Sequence, residues 1–338
     1  MIDETGGKTL IILNEQEIQT NYRMSDAIKD VQDILRKRHD GKVVNPQRTV
    51  IEYPESDASV LFMPSSDVAN KLATMKTVSI FPENAKRGAA TTQGVTLMTD
   101  ANNGNFLALL NASYLTRLRT GALSGIATQL LSREDCKVLT VIGTGGMAFE
   151  QVLGVLEVRD IQKILLVNPT ESKAHEFKEK LINFDNTVNF DINIERDVSI
   201  AVKKADIINC STRSFEPVFN GNDVQPGTHV NGVGSYLPQM REVDFTFIQR
   251  ASKIVVDDLE GAKDEAGELI HAASQSNWSF AQLHGELQDL YVGNITHRES
   301  ETEITFFKSV GAAYYDLAVA QGIYQIALKE NLGTTVSV

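Results

Sequence analysis

The sequence predicts an α/β protein in which a doubly wound parallel sheet is joined to a smaller α+β domain. From residue 137 onward, apolar strands alternate with helices, a pattern typical of parallel sheets that are covered on both faces. The first of these strands runs directly into the glycine-rich turn GTGGMA. In the preceding third, apolar and polar residues alternate within strands, which favours an antiparallel sheet. We therefore assign 121–311 to the larger domain, and 1–120 with 312–338 to the smaller one.

The smaller domain combines short strands with three helical segments. Helical spacing at 24–41 ends at Gly41, a residue type common just after a helix. A second helix, predicted at 113–132, has a side of small residues that another backbone could approach closely. One long helix lies within 303–333. The small residues of the second helix are Gly121, Ala122, Ser124, Gly125 and Ala127, and the predicted strands lie at 9–14, 48–53, 59–64, 74–81 and 94–100.

The larger domain follows a strand–helix rhythm. Its short apolar runs have the length of strands, and the amphipathic segments between them have the length of helices. The strands are predicted at 137–142, 163–167, 206–210, 228–234 and 253–258, with helices at 147–158 and 170–184.

Composition limits the classes of partner. The 338 residues carry a formal net charge of −12 and no compensating basic stretch, so nucleic acid and anionic membranes are poor candidates. Cys136 and Cys210 are too few for a disulfide framework and lack the spacing of a zinc site, and we predict no metal. With no signal-peptide pattern and no apolar run of about 20 residues, the expected location is cytoplasmic.

The turn GTGGMA has the form of a dinucleotide-binding fingerprint. Gly143 would make the tight turn, Gly145 would let the backbone approach a pyrophosphate, and Ala148 would allow close packing of helix on strand. The helix N-terminus would supply N–H donors and positive potential to the phosphates. The candidate cofactor-binding residues here are Gly143, Thr144, Gly145, Gly146 and Met147. The alternative is an ordinary strand–helix turn.

The end of the next strand bears on which dinucleotide binds. The fingerprint expects an acid there for the ribose 2′-hydroxyl, and this chain has Asn168. Asn168 would not repel a 2′-phosphate, and Thr170, Ser172 and Lys173 could contact one, which favours NADP(H) modestly. An asparagine can also bind ribose hydroxyls, and Pro169 contributes no cation, so NAD(H) stays open.

Three cations in the smaller domain form a candidate substrate site. Lys76 lies inside an apolar strand, where a lysine needs a partner or a cavity. Arg48 begins a strand, and Arg119 lies on the side of small residues. Two arginines and a lysine suit a small carboxylate, since arginine binds carboxylate in a bidentate fork and lysine can also move a proton. The alternatives are an edge-strand lysine and a surface arginine.

Together these motifs resemble the ornithine cyclodeaminase/mu-crystallin family over nearly the whole chain. The motifs occur in a fixed order that is specific in combination, although no single motif is. They are PQR (46–48), FMPSS (62–66), MKTVSIFPEN (75–84), LTRLRTGA (115–122), GTGGMA (143–148), NGVGSYLPQMREVD (231–244), VVDD (255–258) and EITFFKSVG (303–311).

The resemblance implies a Rossmann domain joined to a substrate domain that is built from both chain ends and forms a homodimer. It implies that Arg48, Lys76 and Arg119 bind the substrate carboxylate, with Lys76 near the reacting imine as the catalytic residue. It also implies that four further residues line the nicotinamide and ribose region: Thr120, Thr212, Val233 and Lys308.

Three functions are compatible with the resemblance. The leading hypothesis is an NAD(P)H-dependent reductase of a small imino acid, such as 1-pyrroline-2-carboxylate, or a related amino acid dehydrogenase. The second is an ornithine cyclodeaminase, an NAD-dependent ammonia lyase that forms proline. This family's cyclodeaminases carry an aspartate where this chain has Tyr236, which weakens that reading because a phenol cannot pair with an ammonium as a carboxylate does. The third is a non-catalytic protein that binds NADPH and a small carboxylate.

Two remaining groups of polar residues are interpreted as structural. His229 lies in an apolar strand and is expected to be packed core rather than a base. The acids within 255–269 are expected to solvate a helix rather than to contact substrate.

Overall fold

The structure is a computed structural model and describes residues 9–184, 190–275 and 277–337. The chain divides into two compact units, the first formed by Met1–Arg119 with Ala312–Val338 and the second by Thr120–Gly311. We call them the split unit and the central unit. The boundary between the two units, between Arg119 and Thr120, falls inside the helix Ala112–Leu131.

Strands are numbered along the chain. They are β1 Thr9–Leu13, β2 Val43–Val44, β3 Thr49–Tyr53, β4 Ala58–Asp67, β5 Leu72–Ile80, β6 Thr92–Asp100, β7 Phe106–Asn111, β8 Val138–Ile142, β9 Lys163–Val167, β10 Asp191–Ile194, β11 Ile207–Cys210, β12 His229–Gly232, β13 Lys253–Val256, β14 Gly285–Glu286, β15 Thr305–Lys308 and β16 Thr334–Ser337.

The α-helices are numbered in the same way. They are α1 Glu15–Asn21, α2 Met24–His39, α3 Ala112–Leu131, α4 Ala148–Leu156, α5 Glu171–Phe184, α6 Val198–Lys204, α7 Phe245–Arg250, α8 Leu259–Glu265, α9 Gly267–Ala273, α10 Leu287–Val292 and α11 Ala313–Glu330.

The split unit is built on one sheet with the strand order β16-β1-β7-β6-β5-β4-β2, and β3 pairs with β4. Strands β3 to β7 pair in antiparallel fashion, as the alternation of apolar and polar residues predicted. Helix α11 packs on β4, β5 and α2. The inner row Met63–Lys76–Thr96–Leu110 runs across four strands and is buried throughout.

The opposite face of this sheet carries an apolar row. Register places Pro64, Met75, Leu97, Leu109 and Ile12 side by side on neighbouring strands. Met75 is 39% exposed and Ile12 is 36% exposed. We call this row the outer row. Contiguous exposed apolar side chains of this kind are typical of protein interaction surfaces.

The central unit holds a fully parallel sheet with the order β10-β9-β8-β11-β12-β15-β13-β14. The prediction of a doubly wound parallel sheet is confirmed. Register aligns the carboxyl ends of five neighbouring strands, because Ile142, Cys210, Gly232, Lys308 and Val256 are successive cross-strand partners. Chain order reverses between β8 and β11, and that reversal creates the crevice in which such sheets bind ligands.

The side of small residues on α3 lies against α4. A Cβ built on Gly125 would lie 2.6 Å from the carbonyl oxygen of Gly154, and one built on Gly154 would lie 2.0 Å from that of Gly121. Only glycine permits this approach, so the prediction of a close backbone contact is confirmed.

Buried polar side chains connect neighbouring strands of the parallel sheet in the central unit. His229 is fully buried, and its ring nitrogens lie 2.9 Å from Thr305 Oγ1 and 3.1 Å from Asn231 Oδ1. Burial, with a smaller contribution from the Arg298 charge, lowers the pKa of His229 to about 3. The imidazole is therefore neutral near pH 7, and its assignment to the core is confirmed.

Six of the described strands were not predicted from the sequence, namely β2, β7, β10, β14, β15 and β16. Strand β15 is fully buried in the middle of the parallel sheet. In the sequence it lies within 303–333, where the apolar pattern of the long helix α11 is much longer than that of the strand. Strands β7 and β16 lie outside the predicted set, and β16 is an exposed edge strand. Short strands of this kind are selected by their neighbours in the sheet more than by their own pattern. Among the described helices, none has the length and apolarity needed to cross a membrane.

Candidate active site

The split unit buries a lysine in the middle of its sheet. Lys76 points inward from β5 because the inner row alternates with the outer row along the strand, and only 2% of the residue is exposed. A lysine this deeply buried needs a compensating charge.

That charge comes from the far end of the chain. Asp316, on α11, accepts a hydrogen bond from Lys76 Nζ at 2.7 Å, and Arg119 Nε lies 3.4 Å from the same oxygen, Oδ1. All three residues are at most 6% exposed. Sequence reasoning identified both cations but missed Asp316, since 240 positions separate it from Lys76 and a single aspartate in a helix carries no signal.

The charge balance of this cluster sets the protonation of Lys76. Burial lowers the pKa of the ammonium, Asp316 raises it, and the charges of Arg119 and Arg48 lower it again, leaving a pKa of about 8. Burial raises the pKa of Asp316, but the two neighbouring cations outweigh that effect and hold it below its usual value. Near pH 7 the cluster is therefore an ammonium, a carboxylate and guanidinium groups. Such an ammonium can bind a carboxylate and can also give up a proton.

The predicted phosphate cradle lies at the crevice of the parallel sheet. Gly143 follows β8 with φ +87°, and a Cβ on it would lie 2.7 Å from Thr212 Cγ2. Gly145 and Gly146 are exposed, and a Cβ on either would meet nothing within 4 Å. The turn then enters α4 at Ala148. Open space above two glycines at a helix N-terminus fits a dinucleotide pyrophosphate.

The residue that replaces the ribose-binding acid is part of the same turn. Asn168 Nδ2 donates to Thr144 Oγ1 at 2.7 Å, and Asn168 Oδ1 accepts from Thr170 N at 2.8 Å. The asparagine therefore ties the end of β9 to the cradle. Lys173 is exposed, in the first turn of α5.

A buried carboxylate joins the two loops beyond β11 and β12. Glu242 is fully buried and accepts from the backbone nitrogens of Thr212 at 2.6 Å and Gly234 at 2.7 Å, and from Thr212 Oγ1 at 2.9 Å. Burial raises its pKa, and Lys308 opposes that shift. Glu242 fixes the loops that carry the predicted cofactor residues Thr212 and Val233, a role that no local sequence pattern indicates.

Lys308, a further predicted cofactor residue, is fully buried at the carboxyl end of β15. Its Nζ donates to Ser235 O and Ser235 Oγ, both at 2.6 Å, and pairs with Glu268 at 3.1 Å. Its ammonium is thus engaged by protein groups that hold the loop before Tyr236.

The interpretation of the acids within 255–269 as solvating groups is wrong for three of them. Asp257, Asp258 and Glu268 are 1%, 7% and 2% exposed. Asp257 accepts from Ser309 Oγ at 2.6 Å and from Gly311 N at 2.7 Å. These carboxylates hold loops at the carboxyl edge of the parallel sheet.

The other predicted residues lie as follows. Arg48 immediately precedes β3 in the split unit, and Thr120 is 4% exposed on α3. Met147 is the N-cap residue of α4. Val233 follows β12 and is 9% exposed, and Tyr236 is half-buried.

The central unit is by these features a Rossmann-type dinucleotide-binding unit, joined in one chain to an α+β unit with a buried cationic cluster. The ornithine cyclodeaminase/mu-crystallin family model matches residues 8–331. The protein belongs to this family.

Relatives and solved structures resemble it over nearly their full lengths. A Delta(1)-pyrroline-2-carboxylate reductase of Bacillus cereus is 34% identical, with 97% of this chain and 99% of that protein aligned. The Delta(1)-pyrroline-2-carboxylate reductase of Thermococcus litoralis, solved with NADH and L-proline, has a TM-score of 0.92 at 33% identity, covering 97% and 100% of the two chains. An archaeal alanine dehydrogenase, solved as a dimer with NAD, has a TM-score of 0.89 at 30% identity, covering 97% and 99%.

Proposed function

We propose that the protein is an NAD(P)H-dependent reductase of small cyclic imino acids and that 1-pyrroline-2-carboxylate, which it converts to proline, is its substrate. The observation that carries this proposal is the buried cluster of Lys76 and Arg119 around Asp316. Full-length similarity to proteins named for this reaction supports it.

Each residue of the cluster has a part in the proposed reaction. Arg48 and Arg119 bind the substrate carboxylate, since guanidinium groups match its geometry. A nicotinamide cofactor held by the glycine turn 143–147 would supply the hydride that reduces the imine carbon. Lys76 gives a proton to the imine nitrogen as the carbon–nitrogen π pair moves onto it. Hydride and proton together convert the imine to a secondary amine, and Lys76 regains a proton from solvent.

Tyr236 favours reduction over cyclodeamination. Cyclodeamination of ornithine needs an acid that holds the side-chain ammonium, and the half-buried Tyr236 offers a phenol. An imino acid whose ring is already closed carries no second amine and needs no such acid.

For the cofactor we propose a modest preference for NADPH over NADH. Asn168 places no carboxylate near the ribose, and the exposed Lys173 is available to a 2′-phosphate. The relatives solved with NADH and NAD support a nicotinamide cofactor.

The function is tested by following NADPH and NADH oxidation with 1-pyrroline-2-carboxylate, with a six-membered cyclic ketimine carboxylate, and with pyruvate plus ammonia. We expect turnover with the cyclic imines and a higher kcat/KM with NADPH. Ammonia release from ornithine without net cofactor change would instead indicate a lyase. Tight cofactor binding without turnover of any imine would indicate a binding protein.

We further propose a homodimer that forms through the outer row of the split unit. The row is apolar and exposed at Met75 and Ile12, and a related alanine dehydrogenase was solved as a dimer. Replacing Leu97, in the middle of the row, by Glu would bury a charge in that interface. We expect Leu97→Glu to be monomeric in light scattering at micromolar concentration.

Ile182→Glu is the matched control because Ile182 is 49% exposed on α5, in the central unit. In light scattering, Ile182→Glu should have the same molar mass as the dimeric wild-type protein. A dimeric Leu97→Glu protein, or a monomeric wild type, would contradict the proposed interface.

A further inference from the structure

Asp316 is a buried carboxylate that accepts hydrogen bonds from described residues at only one of its two oxygens. Its Oδ1 receives Lys76 and Arg119, whereas its Oδ2 is buried and has no hydrogen-bond partner among the described residues. A buried carboxylate with one unsatisfied oxygen costs stability. Its presence therefore calls for an explanation other than packing.

We propose that Asp316 is the positioning residue of the reductase reaction: a single oxygen on α11 holds the Lys76 ammonium and the Arg119 guanidinium side by side, so that one can give a proton while the other binds carboxylate. This proposal rests on the proposed function. It goes beyond that function by stating what holds Lys76 and Arg119 in place.

Electrostatics requires such a residue. Two cations brought together in a buried site repel each other strongly, and burial penalises both. A carboxylate between them removes the repulsion and fixes both heads, because each hydrogen bonds to it. The charged groups identified around Lys76 are Asp316 on α11, Arg119 on α3 and Arg48 before β3, and only Asp316 is negative.

This arrangement predicts a pH dependence. Lys76 must be charged to give up its proton, so kcat/KM should fall as the pH rises through its pKa of about 8. Asp316 favours the charged form of Lys76. Without that carboxylate the pKa falls further, and the alkaline limb of the kcat/KM profile moves to lower pH. Substrate ionisation contributes equally to the profiles of wild type and variant.

The test compares Asp316→Asn and Asp316→Glu with the wild type in pH profiles of imine reduction. For Asp316→Asn we expect kcat/KM to fall at least about 10-fold at pH 7 and the alkaline limb to move down by about one pH unit. Asp316→Glu retains the charge, so its alkaline limb should stay near that of the wild type even if its longer side chain lowers kcat. A residue with a structural role alone would move kcat or stability without this charge-dependent shift.

Asp67→Asn is the matched control. Asp67 is fully buried on β4 in the same unit and pairs at 2.8 Å with the partly buried Lys37, so its replacement also removes a buried carboxylate from an Asp–Lys pair. The pH profile of kcat/KM for Asp67→Asn should match that of the wild type. An unshifted alkaline limb in Asp316→Asn, or an equal shift in Asp67→Asn, would overturn the proposal. A wild type that reduces no imine would instead refute the proposed function, so the two failures are distinguishable.

Discussion

Replacing Lys76 by Met is expected to lower kcat/KM for 1-pyrroline-2-carboxylate by about 10³-fold, because a positioned proton donor contributes about 10²–10⁴-fold to such steps. Met has nearly the length of Lys and no charge. The proposed phosphate cradle belongs to the central unit and Lys76 to the split unit. The Kd for NADPH, measured by NADPH fluorescence, should therefore remain within about twofold of the wild type. Steady-state kinetics and cofactor titration on one preparation check both parts.

Removal of Lys76 also breaks its ion pair with Asp316, but Arg119 still contacts the carboxylate. The loss of stability should therefore be smaller than the cost of about 3–5 kcal/mol that is typical when a buried charge loses its only partner. The double variant Lys76→Met/Asp316→Asn leaves Arg119 buried without the carboxylate that it contacts, so it should be less stable than Lys76→Met and equally inactive. Lys37→Met, which breaks the Lys37–Asp67 pair of the same unit, is the matched control and should keep wild-type kcat. If Lys76→Met reduces the imine at the wild-type rate, Lys76 is not the proton donor.

Substitution of Gly145 by Val should abolish most cofactor binding without harming the fold. A Cβ at Gly145 meets nothing within 4 Å, and the residue does not have positive φ. The added methyl groups would occupy the space that we assign to the pyrophosphate. We expect the Kd for NADPH to rise about 100-fold, equivalent to about 2.8 kcal/mol, with Tm unchanged within about 2 °C.

Two further variants separate this effect from general damage. Gly145→Ala should raise the Kd by less than Gly145→Val, since it adds one methyl group. Gly143→Val should lower Tm as well, because Gly143 has φ +87° and a Cβ there lies 2.7 Å from Thr212 Cγ2. Wild-type cofactor affinity in Gly145→Val would show that the pyrophosphate does not bind above this glycine.

The elements best predicted from the sequence are those with a strong local pattern. The apolar strands β8 and β9 and the helix α2, which buries Ala27, Val31, Ile34 and Leu35, lie where periodicity placed them. Strand β15 was missed because its four buried residues are too short a run to register beside the long α11. Its place in the sheet depends on pairing with β12 and β13, which lie 50 or more residues earlier.

The glycine turn proposed to bind a dinucleotide and the unusual cations could be recognised from residue order alone, because glycine spacing and a lysine in an apolar strand are local signals. The groups that compensate those cations and support the predicted cradle are visible only in the folded chain. Asp316, Glu242 and Glu268 are ordinary acids in the sequence and become buried partners of Lys76, Thr212 and Lys308. Charge compensation depends on distance in space, which residue order does not encode locally. For that reason the proposed proton donor could be predicted from the sequence, whereas the carboxylate that positions it could not.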